Sequence, residues 1–131
     1  MNIRWKHVNS YEEAKNFFQV IYLHEWDGKP FYWGKVDGSV FGGTPRNIGN
    51  RKRNARYNPG YKHWIEGCLQ HGGRLYIGQI EDMGDYSHDQ IEAYLIAQFP
   101  STMNRRTKPT SRILPIHQCG DLPLSLSRDN K

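Results

Sequence analysis

The chain of 131 residues has only two cysteines, Cys68 and Cys119, and neither belongs to a Cys-x-x-Cys pair. That excludes a disulfide framework, and both thiols are expected to be inert in a reducing compartment, the cytoplasm. No apolar run approaches the roughly 20 residues that a membrane-spanning helix needs. Residues 1–10 carry Arg4, Lys6 and His7 and lack the apolar centre of a secretory signal. There is no Gly-x-Ser-x-Gly nucleophile elbow and no P-loop. Gly42-Gly43-Thr44 reads only as a flexible loop beside basic residues. His7, His24, His71, His88 and His117 lack the spacing of metal ligands.

Acidic residues are missing from two stretches, and this is the first functional signal. Residues 42–62 hold six basic side chains (Arg46, Arg51, Lys52, Arg53, Arg56 and Lys62) and no acid. Residues 105–112 hold four more (Arg105, Arg106, Lys108 and Arg112), again with no acid. Ten of the eighteen Lys and Arg residues therefore lie in two short windows, whereas five acids crowd into residues 81–92. The formal net charge is +5. Segregated positive charge favours a polyanion, because each phosphate neutralised releases counterions. Mean hydropathy is -0.83, so the core is modest. An aromatic content of 13% nevertheless argues against disorder.

Local signals outline one domain over residues 1–131. Ser10-Tyr11-Glu12-Glu13 has the form of a capping box opening a helix over residues 10–18. Residues 19–26 and 31–36 read as strands, joined by Asp27-Gly28-Lys29-Pro30, whose Asp-Gly suits the positive φ of a tight hairpin. The Gly-, Asn-, Arg- and Pro-rich stretch 37–59 is too long for an idle connection. Trp64, Ile65, Cys68 and Leu69 fall at helical spacing, and His71-Gly72-Gly73 stops that helix. Residues 74–80 alternate as a third strand. Ser87-His88-Asp89-Gln90 opens an apolar helix through Phe99, ended by Pro100. A basic tail, 105–131, is expected to be irregular or to hold one short strand. The expected fold is α+β, a small three-stranded antiparallel sheet flanked by helices.

The hairpin carries Val20-Ile21-Tyr22 on its first strand and Tyr32-Trp33-Gly34 on its second, the two tyrosines being ten positions apart. Downstream come Arg53 and Tyr57 one helical turn apart, then Glu92-Ala93-Tyr94-Leu95-Ile96, Pro100, and Asn104 twelve residues after the Glu. In this order and spacing the chain resembles the GIY-YIG nuclease family over residues 19–104. The literal Tyr76-Ile77-Gly78 is a decoy, since no arginine lies between Gly78 and Glu92. Two departures from the family pattern stand out: neither hairpin motif is literal, and nineteen residues separate Gly34 from Arg53. That long gap leaves Arg46, Arg51 and Arg56 as competitors for the same role.

The resemblance implies a Mg²⁺-dependent DNA endonuclease, with Mn²⁺ able to substitute. Phosphodiester hydrolysis requires an activated water, neutralised non-bridging oxygens and help for the leaving 3′ oxygen. Glu92 is the expected metal ligand and Arg53 the phosphate clamp, because a planar guanidinium matches two oxygens at once. Tyr22 is the expected general base, although a free phenol with pKa near 10 needs a nearby cation for that task. Tyr32 and Tyr57 would position water and phosphate, His63 would assist or replace Tyr57, and Asn104 would fix the site through hydrogen bonds. Lys35, Arg46, Arg51, Lys52, Arg56, Lys62, Arg105, Arg106 and Lys108 would contact the DNA backbone. The protein would act as a monomer or homodimer, away from membranes. The competing readings are a catalytically lapsed nucleic-acid-binding module and an RNA-directed nuclease.

Overall fold

The computed structural model describes residues 1–36, 40–42, 59–104 and 114–127. The sheet contains strands β1 (Asn2–Val8), β2 (Ile21–Trp26), β3 (Lys29–Lys35), β4 (Gly73–Glu81) and β5 (His117–Gly120). Helices α1 (Tyr11–Ala14), α2 (Pro59–Gln70), α3 (His88–Gln98) and α4 (Leu124–Ser127) complete it. Strand order across the sheet is β3-β2-β4-β1-β5. All neighbours are antiparallel except β1 and β5, which run parallel.

The fold is α+β as expected, but the three-stranded antiparallel sheet is a correction: among the described residues the sheet has five strands and is mixed. The three strands read from sequence are present as the adjacent antiparallel set β3-β2-β4. The two added strands pair only with distant chain. In β1, Lys6 lies opposite Ile77 and Ile3 opposite Gln118, so no nearby turn or partner announces either strand. Trp5 seals the join by donating its indole N–H to the Gln118 side chain at 2.8 Å.

Helix α1 is also shorter than its capping signal suggests. Ser10 does cap it, accepting from the Glu13 amide at 3.2 Å, while Glu13 reaches back to the Asn9 amide at 2.8 Å. The backbone beyond Ala14 is then recruited elsewhere: Phe17 O accepts from Phe41 N at 2.7 Å and Lys15 O from Gly42 N at 2.9 Å. The expected capping box of α3 forms in full, with Ser87 and Gln90 exchanging side-chain and backbone hydrogen bonds of 3.1 and 2.9 Å.

The sheet buries both faces. On one face, Tyr11 and Ala14 of α1 and Ile65 of α2 pack with Val8, Tyr22, Leu75 and Ile77. On the other, Ile91 and Leu95 of α3 and Leu126 of α4 pack with Ile3, Trp5, Ile21, Leu23, Trp33 and Tyr76. Tyr76 of the literal motif therefore belongs to the face opposite Tyr22. Its ring lies against His7, with centroids 5.0 Å apart.

The hairpin turns on Asp27 and Gly28, whose φ angles of 57° and 74° are those a tight two-residue turn demands. Register places Tyr22 opposite Gly34 and His24 opposite Tyr32, then shifts, so that Glu25 faces Pro30 and Phe31 is the extra residue of a bulge. At Gly34 the phenol of Tyr22 lies directly across the backbone. A Cβ there would fall 2.6 Å from Tyr22 Cε1, closer than real contacts allow. Gly34→Ala is therefore expected to displace the Tyr22 ring and destabilise the domain by about 1–3 kcal/mol, the usual cost of overpacking a filled core. Urea denaturation of the two proteins measures it; equal midpoints would contradict this packing.

Candidate functional site

The site builds outward from that close approach. Tyr22 projects from β2 across Gly34 toward β3, the sheet edge. Tyr32 lies beside it on the same face, with ring centroids 6.2 Å apart. Tyr22 is fully enclosed, edge-on to Phe41 at 4.9 Å, whereas Tyr32 is half-buried. The hydroxyl expected to be the base is thus the enclosed one.

Glu92 comes from the other side of the edge strand. Helix α3 packs beneath β3 on the opposite sheet face, through Ile91 and Leu95. Its first turn is tied to the strand where Lys35 Nζ meets Asp89 Oδ1 at 3.0 Å. Lys35 adjoins Gly34, and Asp89 is one turn before Glu92. Glu92, half-buried, follows one turn further along α3, which lies on the sheet face opposite the two phenols and is anchored to β3 through that ion pair. The same ion pair means that Lys35, an expected DNA contact, already has a partner.

Asn104 completes the edge. Its side-chain oxygen accepts from Trp33 N at 2.7 Å and its amide donates to Trp33 O at 3.0 Å, so the side chain stands in for one residue of a missing neighbouring strand. Met103 N donates to Phe31 O at 2.9 Å, and the Trp33 indole donates to Phe99 O at 2.9 Å. Ser101 hydrogen-bonds Asn104 and fixes its rotamer.

His63 is exposed on α2, and Lys62 sits over the Tyr11 ring, 5.8 Å from its centroid. Arg53, Tyr57, Arg46, Arg51, Lys52, Arg56, Arg105, Arg106 and Lys108 lie outside the described residues. Among the described residues, no three His, Cys, Asp or Glu side chains converge as a metal-binding group. A hard cation held by one carboxylate, waters and substrate phosphate needs no such group, and the single carboxylate of Glu92 is compatible with that arrangement. The cysteines are unbridged, and burial pushes the Cys68 thiol pKa up, keeping it protonated. No described helix is long and apolar enough to cross a membrane.

Comparisons with protein-family models, curated proteins and solved structures found no significant match to this chain.

The sequence did not point to His24. It is 3% exposed, and its Nε2 has no hydrogen-bond partner among the described residues. Rings surround it: Tyr22 at 5.8 Å, Tyr32 at 6.2 Å and Trp64 at 4.9 Å between centroids. Only its alternation with Tyr22 and Trp26 hints at this shared face, since the bulge and the docking of α2 are both tertiary. Burial lowers its pKa from 6.5 to about 4, because the charged imidazolium would have to shed water there.

Two outcomes follow. In the unfolded chain His24 takes up a proton below pH 6.5, while in the fold it stays neutral until about pH 4. Stability is therefore fully present above the upper value and falls across this window by about 3 kcal/mol. His24→Phe should flatten that slope relative to wild type in urea melts at pH 7.5, 5.5 and 4.5; parallel slopes would refute a neutral buried imidazole. Asn104→Ala should cost about 1–3 kcal/mol, since it leaves two Trp33 backbone groups without partners. It should also speed hydrogen exchange at the Trp33 amide, and unchanged exchange would show that the edge is held by other means.

Proposed function

We propose that the protein is a Mg²⁺-dependent endonuclease that hydrolyses DNA phosphodiesters in the manner of the GIY-YIG family. The observation that carries this reading is the juxtaposition at Gly34. Tyr22 and Tyr32 share one face of the hairpin there, and the Asp89–Lys35 ion pair anchors the Glu92 helix at the adjoining residue.

The roles follow from exposure and chemistry. A base must touch the water it deprotonates and, if a tyrosine, would have to act as its phenolate beside a cation of the basic windows; the half-buried Tyr32 is the better placed of the two, with the enclosed Tyr22 packed behind it. Arg53 clamps the non-bridging oxygens, with Tyr57 or His63 orienting the same phosphate. The water oxygen bonds to phosphorus as the bond to the 3′ oxygen breaks. Glu92 holds the cation, which when bound neutralises the phosphate and stabilises the departing oxygen. Asn104 acts at one remove, keeping the strand of Tyr32 and Gly34 in register. The basic windows bind the backbone of DNA in a reducing, cytoplasmic setting. One site per chain cuts one strand, so a double-strand break requires a homodimer or two successive events.

Wild-type protein with Mg²⁺ is expected to relax supercoiled plasmid and to stop when the metal is chelated. Glu92→Gln should lose cutting at least about a hundredfold, as removing a group that stabilises transition-state charge does, while still shifting DNA in a gel. Equal inertness of both proteins with retained binding would sink catalysis in favour of a lapsed binding module. Cutting confined to structured RNA would redirect the substrate.

A further inference from the structure

Beyond the tyrosine pair, the same sheet face continues as an unbroken run of rings toward the hairpin tip. From Tyr32 the path passes to His24, then to Trp64 of α2 at 4.9 Å from His24. Phe31 follows at 6.3 Å from Trp64 and nearly parallel to it, the planes differing by 22°. Trp26 ends the row, 6.0 Å from Phe31. Ordinary alternation would send Phe31 and Tyr32 to opposite faces. The bulge between His24 and Glu25 turns both toward α2, which is how a strand brings two consecutive rings to one surface.

The outer members are not core. Trp26 and Trp64 are each 38% exposed, and two tryptophans beside a phenylalanine form an apolar strip that is partly open to water. Charge says which occupant suits it. Lys29 lies opposite Trp26 at the turn, and the acid-free window 42–62 leads directly into the part of α2 that carries Trp64. Flat aromatic faces beside cations match a strand whose bases are unpaired, because every base offers a face for stacking and each phosphate a charge.

We propose that Trp26, Phe31 and Trp64 form a base-stacking platform, so that the preferred substrate carries unpaired nucleotides next to the cut. This rests on the nuclease reading for its site of cutting, but not for its binding.

The test pairs tryptophan fluorescence with cleavage. Wild-type protein is titrated with a single-stranded oligonucleotide, with a duplex containing an unpaired bubble, and with a fully paired duplex of equal length. Stacking should quench tryptophan emission on the first two, and affinity for them should exceed that for paired duplex about tenfold or more. Trp26→Ala and Trp64→Ala should erase that preference while leaving affinity for paired duplex unchanged, and Trp64→Phe should restore most of it. Absence of quenching in the wild type overturns the platform, and that result needs no variant to fold. Equal loss on all three DNAs also overturns it, assigning the rings to structure, as does concentration-dependent quenching without DNA, which would mean a second copy of the chain covers the strip. Quenching and preference without any cutting would uphold the platform and refute the nuclease reading. Cutting without preference or quenching would do the reverse.

Discussion

A phenol ring resting directly on a backbone is the contact from which the rest of this domain is arranged. Tyr22 reaches from the inner strand of the hairpin across Gly34 because position 34 has no side chain to stop it. The ring is enclosed there against Phe41, and this fixes where the neighbouring strand must lie. Strand β3 thus has its register set from within the sheet, and Tyr32 is delivered beside Tyr22 as a consequence.

Strand β3 is also an edge, which would ordinarily leave a row of unpaired backbone groups. The turn after α3 supplies what a further strand would have supplied, through the Asn104 amide on Trp33 and the Met103 amide on Phe31 O. At the other end of the same helix, Asp89 holds Lys35. Both ends of α3 are therefore pinned to one strand, and Glu92 between them has little freedom to drift from the hairpin. Covering the edge and anchoring α3 are here one and the same arrangement.

Much of the hairpin was legible because its signals are local. Asp27-Gly28 announces the turn, β-branched and aromatic runs announce the strands, and Ser87 with Gln90 announces the start of α3. Strand β1 was not legible, and β5 only as one of two alternatives for the tail. Residues of β1 find their partners near positions 77 and 118, and β5 has almost no apolar pattern of its own. Helix α1 was overread for a related reason: its capping box is real, but Phe41 and Gly42 take hydrogen-bond acceptors that a longer helix would have used. The buried histidine at 24 and the ring sequence beyond it were invisible because a bulge breaks the alternation on which strand faces are read.

The sequence by itself determined the local alphabet of this protein: a tight hairpin bearing two tyrosines, two helices with their starts marked, a glycine where a ring must pass, and positive charge gathered in two acid-free windows. These are choices of a few neighbouring residues, and steric and hydrogen-bonding rules within a turn or two decide them. Tertiary structure alone decided that the sheet has five strands, that Tyr22 is enclosed while Tyr32 is half-buried, and that Trp26, Phe31 and Trp64 share a surface. Each of those outcomes depends on which distant segments exclude water from one another, and no short window of sequence carries that information.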